Sequence, residues 1–371
     1  MKKILILVFC ALCSAGFSAA QAGLKKAAAG NPAFHYTGRF EQANPEEIRF
    51  DWPGFTIQCR FTGSRAGIHF QGGERNYFNL YLDGEPVGVL HAPRDTVWWT
   101  ERLKTKGPHH LKLVKRTEGD MGQAWFRGIV LEKGAEILPI EQIPARRIEF
   151  IGNSITCGYG TEGASRDERF KPETENNEKT YGAVLARAFN AEAHFIAHSG
   201  LGVVRNYGDE KKISTRIVPM PGRYGRSLDT DTLPAWDHSR WKPQAVVINL
   251  GTNDFSTLPY PDKAVFQRRY EELIQQVRKI HGEIPVFCVV GPMIHEPCFS
   301  YVKEMVDGFR TLYNDSNVFF VGLPNGLLNE SSDLGSDWHP SYQGQKKIAG
   351  QLLLPIATVL DWDYSGTEIF E

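Results

Sequence analysis

Residues 132 to 147, EKGAEILPIEQIPARR, separate two stretches of chain whose apolar residues repeat with different periods. One sheet or one bundle cannot satisfy both periods, so the chain must form two folding units joined here. The stretch carries Pro139 and Pro144 and no period of its own, as a connection between domains does. A length of 371 residues agrees, because that is more than one core usually organises.

Upstream, over residues 34–138, the apolar residues alternate. Phe55, Ile57, Cys59 and Phe61 share one face of a strand and Thr56, Gln58 and Arg60 the other. Phe78, Leu80 and Leu82 repeat the pattern, Asp83-Gly84 turns the chain, and Val87 and Val89 bring it back as a hairpin. Leu111, Leu113, Ile129 and Leu131 supply further strands. Short strands separated by Gly, Pro and Asp predict an antiparallel sandwich of the jelly-roll kind.

Downstream, over residues 145–365, strands alternate with helices. RRIEFIG, AHFIAHSG, AVVINLG, IPVFCVVG and VFFVG read as strands. TYGAVLARAFN, the stretch from Asp262 to Gly282, and SYQGQKKIAGQLLLPIATVL read as helices, the last expected to bend or break at Pro355. This order predicts an α/β domain of three layers, a parallel sheet covered on both faces, with the site at the carboxyl ends of the strands. Polar stretches at residues 161–179 and about 205–242 leave the chain just after strand ends. They are either walls of a substrate pocket or solvated insertions. Tyr207, Tyr224 and Trp236 favour a wall for the second, since aromatic rings are costly to leave in water.

Residues 1–22 open with Lys2 and Lys3, run apolar from Ile4 to about Phe17 and close on Ala20-Gln21-Ala22. This is the pattern of a secretory signal peptide cleaved after Ala22, and it predicts export to the periplasm or the cell exterior. The apolar run is too short for a membrane span. Formal net charge is −1 for the whole chain and falls to about −3 once Lys2 and Lys3 leave with the signal. That balance argues against a nucleic-acid or anionic-membrane partner. Cys59, Cys157, Cys288 and Cys298 are too few and too scattered for a disulfide framework. Cys288 and Cys298 are either bridged or free thiols, and His295 between them completes no zinc pattern, so no structural metal is expected.

The stretch IEFIGNSITCGYGTEG, residues 148–163, admits two chemistries. Gly158, Gly160 and Gly163 spell G-x-G-x-x-G, which brings backbone amides close to a pyrophosphate. That fingerprint needs its first glycine directly after the strand, where Gly152 stands, and counting from Gly152 finds Ser154 and Cys157 instead of glycines. Ser154 lies on the strand-to-helix turn itself. It is either a helix cap or a nucleophile exposed at the sheet edge. The G-x-S-x-G elbow of the α/β-hydrolases is missing, because Thr156 holds the place of its second glycine.

Three further stretches offer partners. HSGLG supplies the Gly200 amide, NLGTNDFS the Asn253 side-chain amide, and SDWHPSYQG supplies His339 with Asp337 two residues before it. In this order, at successive strand ends, they resemble the four blocks of the SGNH hydrolases, also called the GDSL family. With GRF early in the sandwich and HHLKLVKRTE late in it, followed by RRIEFIGNSITCGYG, LGTNDFS and DWHP, nearly all of the mature chain resembles carbohydrate esterase family 2. Family members often carry G-D-S where this chain has Asn153, a change that keeps hydrogen-bonding shape and loses charge.

The resemblance implies a secreted O-acetylesterase acting on plant polysaccharides such as xylan and glucomannan, with no metal or organic cofactor. Ser154 is then the nucleophile and His339 the base, while Ser154, Gly200 and Asn253 form the oxyanion hole. Two arrangements orient His339: the Asp337 carboxylate, which a turned loop would bring within reach, or a backbone carbonyl. Trp338, beside the histidine, and Trp236, in the second insertion, are candidate sugar contacts. A lipolytic or thioester-cleaving member of the same superfamily and a catalytically dead carbohydrate-binding protein are the rival readings.

Overall fold

The computed structural model describes residues 23–370, so the signal-peptide reading concerns residues outside those described. The chain divides into two compact units. The first holds residues 23–50, Phe55–Lys115 and Met121–Ile143, and the second holds Asp51–Gly54, Arg116–Asp120 and residues 144–370. The two short excursions into the second unit have no signature in the hydrophobic pattern.

The first unit is a pair of antiparallel sheets. One runs Glu41–Asn44, Glu47–Phe50, Ala124–Leu131, Ala66–Gln71, Thr96–Trp99, with Lys25–Ala27 also on Ala124–Leu131. The other runs Ile137–Leu138, Thr56–Phe61, His109–Lys115, Phe78–Leu82, Glu85–Leu90, with His35–Thr37 on Thr56–Phe61. Alternation along Thr56–Phe61 is strict: Ile57, Cys59 and Phe61 are buried and their neighbours half-exposed. Asp83 and Gly84 both take positive φ (53° and 85°), as a two-residue hairpin turn requires. Val87 and Val89 lie on the returning edge strand and stay exposed.

The second unit is a five-stranded parallel sheet: β1 (Arg146–Gly152), β2 (Ala191–Ala197), β3 (Ala245–Asn249), β4 (Val286–Val290) and β5 (Val318–Gly322), in the order 2-1-3-4-5. Every residue of β3 and β4 is buried, which is why these strands read as continuous apolar runs rather than alternations. Ile151, Ile196 and Ile248 pack on one face with helices α4 (Lys263–His281) and α5 (Cys298–Tyr313). Phe150, Phe195 and Val247 pack on the other with α2 (Tyr181–Ala188) and α6 (Tyr342–Leu360). Helix α6 runs unbroken past Pro355, so the expected interruption does not occur. Because β2 and β3 flank β1 on opposite sides, the carboxyl ends of β1 and β3 form the switch point where α/β sheets leave a crevice.

All four described cysteines are buried free thiols, Cys288 and Cys298 among them. Within the second insertion, Tyr224 and Trp236 are buried while Tyr207 is 62% exposed. Two of the three rings thus serve the core of this unit, and only Tyr207 faces solvent. The first insertion carries a run of backbone bonds to the segment before α6, described below.

Candidate active site

β1 ends at Gly152, and Asn153 caps a single-turn helix, α1 (Ser154–Cys157), by accepting the Ile155 amide through its side chain at 3.1 Å. Ser154 is therefore the first helical residue, on the turn at the sheet edge, and the capping role belongs to Asn153. Gly158 closes the turn with φ 93°, and a side chain there would strike the Asn176 carbonyl. The glycine is required by the turn and not by any phosphate.

His339 comes from the segment between a short 3-10 turn, Ser336–Trp338, and α6. Its Nε2 lies 2.9 Å from Ser154 Oγ, and its Nδ1 lies 2.9 Å from the main-chain carbonyl oxygen of Asp337. A carbonyl only accepts, so the neutral ring carries its proton on Nδ1 and turns the Nε2 lone pair toward the serine hydroxyl. Burial holds the imidazole below the usual histidine range, although the Asp337 carbonyl and carboxylate pull the other way. At neutral pH it is an unprotonated base already in contact with its nucleophile.

The expectation that the Asp337 carboxylate orients His339 is corrected here. Asp337 is in the left-handed region (φ 48°, ψ 43°), which turns its carbonyl toward the ring and its side chain away. The carboxylate instead accepts from Tyr159 Oη at 3.1 Å, the Phe170 amide at 3.0 Å and Arg169 Nη1 at 3.2 Å. The loop is indeed turned, and the turn delivers the carbonyl.

The remaining predicted residues fall on neighbouring strand ends. Gly152 is in register with Ala197 of β2 on one side and Asn249 of β3 on the other, so the loops carrying Ser154, Gly200 and Asn253 leave the sheet side by side. Gly200 has φ 76°, and its carbonyl accepts the Tyr207 amide at 2.8 Å. Among the described residues the amides of Ser154 and Gly200 have no acceptor. Asn253, in the one-turn helix α3 (Thr252–Phe255), gives one side-chain N–H to the Leu201 carbonyl at 2.8 Å and keeps the second. Free amides on adjacent loops beside a serine–histidine pair are the components of an acyl-transfer site.

The two tryptophans part company. Trp338, also at positive φ (64°), is 47% exposed next to His339, with the Arg166 guanidinium 4.1 Å from its ring centroid. Trp236 is only 7% exposed; its ring meets His194 edge-on and the Arg240 guanidinium at 4.9 Å. A buried ring so occupied offers no sugar platform, and that expectation is withdrawn.

Three residues, Asp254, Tyr159 and Glu118, escaped the sequence reading. Asp254 accepts the amides of Val203, Val204 and Arg205 at 2.8–2.9 Å and so fixes the loop that follows Gly200. It adjoins Asn253 in α3, and its place in NLGTNDFS was its only available signal in the sequence. Tyr207, read from the sequence as part of a pocket wall, bonds Gly200 through its amide and exposes its ring to solvent. Tyr159 packs against His339, and Glu118 accepts the Ser199 amide at 2.5 Å. Among the described residues, Glu118, Cys157 and Glu175 are the group whose potential metal-ligand atoms lie close together, within 4.8 Å of one another. There Glu118 also accepts from Cys157 Sγ at 3.6 Å and Glu175 from the Glu118 amide at 3.2 Å, so protein donors already address these carboxylates.

Known proteins resemble this chain over most of its length. Residues 36–140 match the carbohydrate esterase 2 N-terminal family, and residues 150–347 match the GDSL-like lipase/acylhydrolase family. The cellulase/esterase CelE of Acetivibrio thermocellus is 38% identical over 341 residues, which are 90% of this chain and 40% of that protein, so the chain spans well under half of that relative's length. An acetylxylan esterase/glucomannan deacetylase of Cellvibrio japonicus is 24% identical over 90% of this chain and 91% of its own. Among solved structures, a family two carbohydrate esterase from Clostridium thermocellum in complex with cellohexaose superposes with a TM-score of 0.81. It is 36% identical and covers 89% of this chain and 99% of its own.

Proposed function

The chain belongs to carbohydrate esterase family 2 within the GDSL/SGNH hydrolases and is a carboxylic ester hydrolase, and from that premise we propose that it removes O-acetyl groups from plant polysaccharides of the xylan and glucomannan class. The observation that carries the reading is the single file Asp337 carbonyl, His339, Ser154, with both contacts at 2.9 Å. Ser154 Oγ attacks the acetyl carbonyl as His339 Nε2 takes its proton. Negative charge gathers on the carbonyl oxygen, where the amides of Ser154 and Gly200 and the second N–H of Asn253 receive it. The tetrahedral intermediate collapses, His339 returns the proton to the departing sugar oxygen, and an acetyl-serine remains. Water, deprotonated by the same imidazole, then releases acetate and restores the serine. No step calls for a metal or an organic cofactor.

Two features support a sugar chain as the substrate. Trp338, next to His339, and Tyr207, whose amide donates to the Gly200 carbonyl, both expose their rings, and such rings are suited to stacking on pyranose faces. The Cellvibrio relative is described as an acetylxylan esterase and glucomannan deacetylase, and the Clostridium relative was solved with cellohexaose, both of which support an acetylated glycan as substrate. The leader-like residues 1–22 support export, so that the enzyme meets its polymer outside the cytoplasm.

The test is acetate release from acetylated xylan, acetylated glucomannan and a 4-nitrophenyl ester series from acetate to octanoate, with Ser154→Ala as the blank. Release from the polymers together with a sharp preference for acetate supports the assignment. A preference for octanoate would move the chain to the lipolytic branch of the superfamily. A folded protein that neither turns over acetate nor takes an organophosphonate label on Ser154 would leave only a binding role.

A further inference from the structure

The imidazole of His339 is oriented by a carbonyl rather than a carboxylate, so the question becomes what holds that carbonyl. Asp337 and Trp338 are consecutive left-handed residues with side chains, a conformation that costs about 1–2 kcal/mol per residue and survives only where the surroundings enforce it. Enforcement comes from residues 159–170. The Ser336 amide donates to the Gly160 carbonyl at 3.0 Å, the Asp337 amide to Glu168 at 2.8 Å and the Trp338 amide to Arg166 at 3.2 Å. The Asp337 carboxylate is gripped at the same time by Tyr159, Arg169 and the Phe170 amide.

Tyr159 differs from the other members of this clamp. Its amide donates to the Ser154 carbonyl at 3.1 Å, which roots it in the nucleophile turn. Its ring packs against the imidazole of His339, centroids 4.4 Å apart, and is backed on Phe170 at 3.9 Å with an interplanar angle of 15°. Its hydroxyl donates to Asp337. One side chain therefore meets the nucleophile turn, the plane of the base and the residue whose carbonyl fixes the base's tautomer.

We propose that Tyr159 is a positioning residue for the acyl-transfer step, performing with the Asp337 carboxylate the orienting task that a triad acid performs by direct contact. The inference rests on the serine–histidine reading of the site given above. Tyr159 does not touch the reacting atoms; it acts through His339 and Asp337. Burial and the neighbouring Asp337 carboxylate hold its phenol above the ordinary tyrosine range, so the hydroxyl remains a donor across the working pH. Removing that hydroxyl leaves the ring wall intact and takes one of three donors from the carboxylate, loosening the carbonyl that holds Nδ1.

The experiment compares wild type, Tyr159→Phe, Asp337→Asn, Asp337→Gly and the double variant Tyr159→Phe/Asp337→Asn on 4-nitrophenyl acetate, with thermal unfolding to confirm the folded fraction. Tyr159→Phe should lower kcat by about 10- to 100-fold and leave KM within about twofold, because misplacement of a base by a fraction of an ångström acts on the transition state. Asp337→Gly keeps the carbonyl and relieves the left-handed strain but removes the grip, so it should lose kcat to a similar extent. The double variant should be no worse than its worse parent, since both substitutions release one clamp. Wild-type kcat in folded Asp337→Gly, a defect confined to KM in Tyr159→Phe, or losses that multiply in the double variant would each overturn the proposal. A dead wild-type enzyme would instead count against the esterase reading itself.

Discussion

Asn253 donates one side-chain hydrogen to the carbonyl of Leu201 at 2.8 Å, tying the loop after β3 to the loop that carries Gly200. The bond fixes the rotamer of Asn253 and spends one of its two N–H groups, leaving the other for the oxyanion that the proposed mechanism develops. Both donors that the loops contribute are thus set before substrate arrives, which is the condition under which such donors are worth most.

On the proposed mechanism Asn253→Ala removes the third oxyanion donor and loosens the loop bearing the second. Turnover of 4-nitrophenyl acetate should fall roughly 100- to 1,000-fold, the usual cost of one such donor, with KM nearly unchanged. Steady-state kinetics decide the point. A defect expressed mainly in KM would make Asn253 a substrate-binding residue.

The pH dependence follows from the burial of His339. Only the neutral imidazole accepts the serine proton, so kcat/KM falls as pH drops through the pKa of the free enzyme. That pKa lies below the usual histidine value, so the acid limb should have its midpoint below about 6.5. Asp337 is held below the ordinary carboxylate range and Tyr159 above the ordinary phenol range, so neither should add a second limb between pH 5 and 8. The unfolded chain takes up this proton at higher pH than the folded one, so the same group makes stability rise with pH across that interval. An acid-limb midpoint at or above 6.5 in a kcat/KM profile would contradict the assignment of His339 as a buried base.

Asp254 supplies a stability prediction. Its buried carboxylate is the acceptor for three consecutive amides, Val203, Val204 and Arg205. Asp254→Ala orphans three donors at about 1–3 kcal/mol each, so a loss of at least about 3 kcal/mol is expected in urea unfolding. Asp254→Asn keeps one acceptor oxygen and should lose less. A change under about 1 kcal/mol for the alanine variant would mean that water replaces the carboxylate, contrary to its complete burial.

These residues show where sequence reading reached and where it stopped. Period two in Thr56–Phe61 and the apolar run Ala245–Ile248 of β3 are local consequences of burial, so the two sheet types could be read directly. Ser154, Gly200, Asn253 and His339 each stand at a strand end or helix start, and punctuation there is local as well. Asp337 could not be resolved, because its role depends on a left-handed backbone enforced by residues 160–170, nearly 170 positions away in the chain. Trp236 and Tyr224 misled for a related reason: an aromatic ring in a polar stretch is equally consistent with a pocket wall and with a ring folded back into the core. Tyr159 had a signature of nothing more than a tyrosine between two glycines.

Trp338 tests the sugar-binding half of the reading. Left-handed backbone at Asp337 and Trp338 lifts the indole out of the loop beside His339, and the Arg166 guanidinium covers one side of it at 4.1 Å. Arg166 is itself paired with Glu330, so the platform is braced from behind and does not need the substrate to hold it in place. A pyranose stacked on the open side gains apolar burial and loses nothing in loop ordering. Trp338→Ala should therefore raise KM on acetylated xylan and glucomannan by roughly tenfold, the equivalent of about 1.4 kcal/mol, and leave kcat on 4-nitrophenyl acetate within about twofold. Trp338→Phe, which keeps a smaller ring, should fall between. Equal losses on the polymer and on the small ester would show that the indole serves to hold His339, and unchanged polymer kinetics would leave the exposed Tyr207 as the ring that meets the sugar.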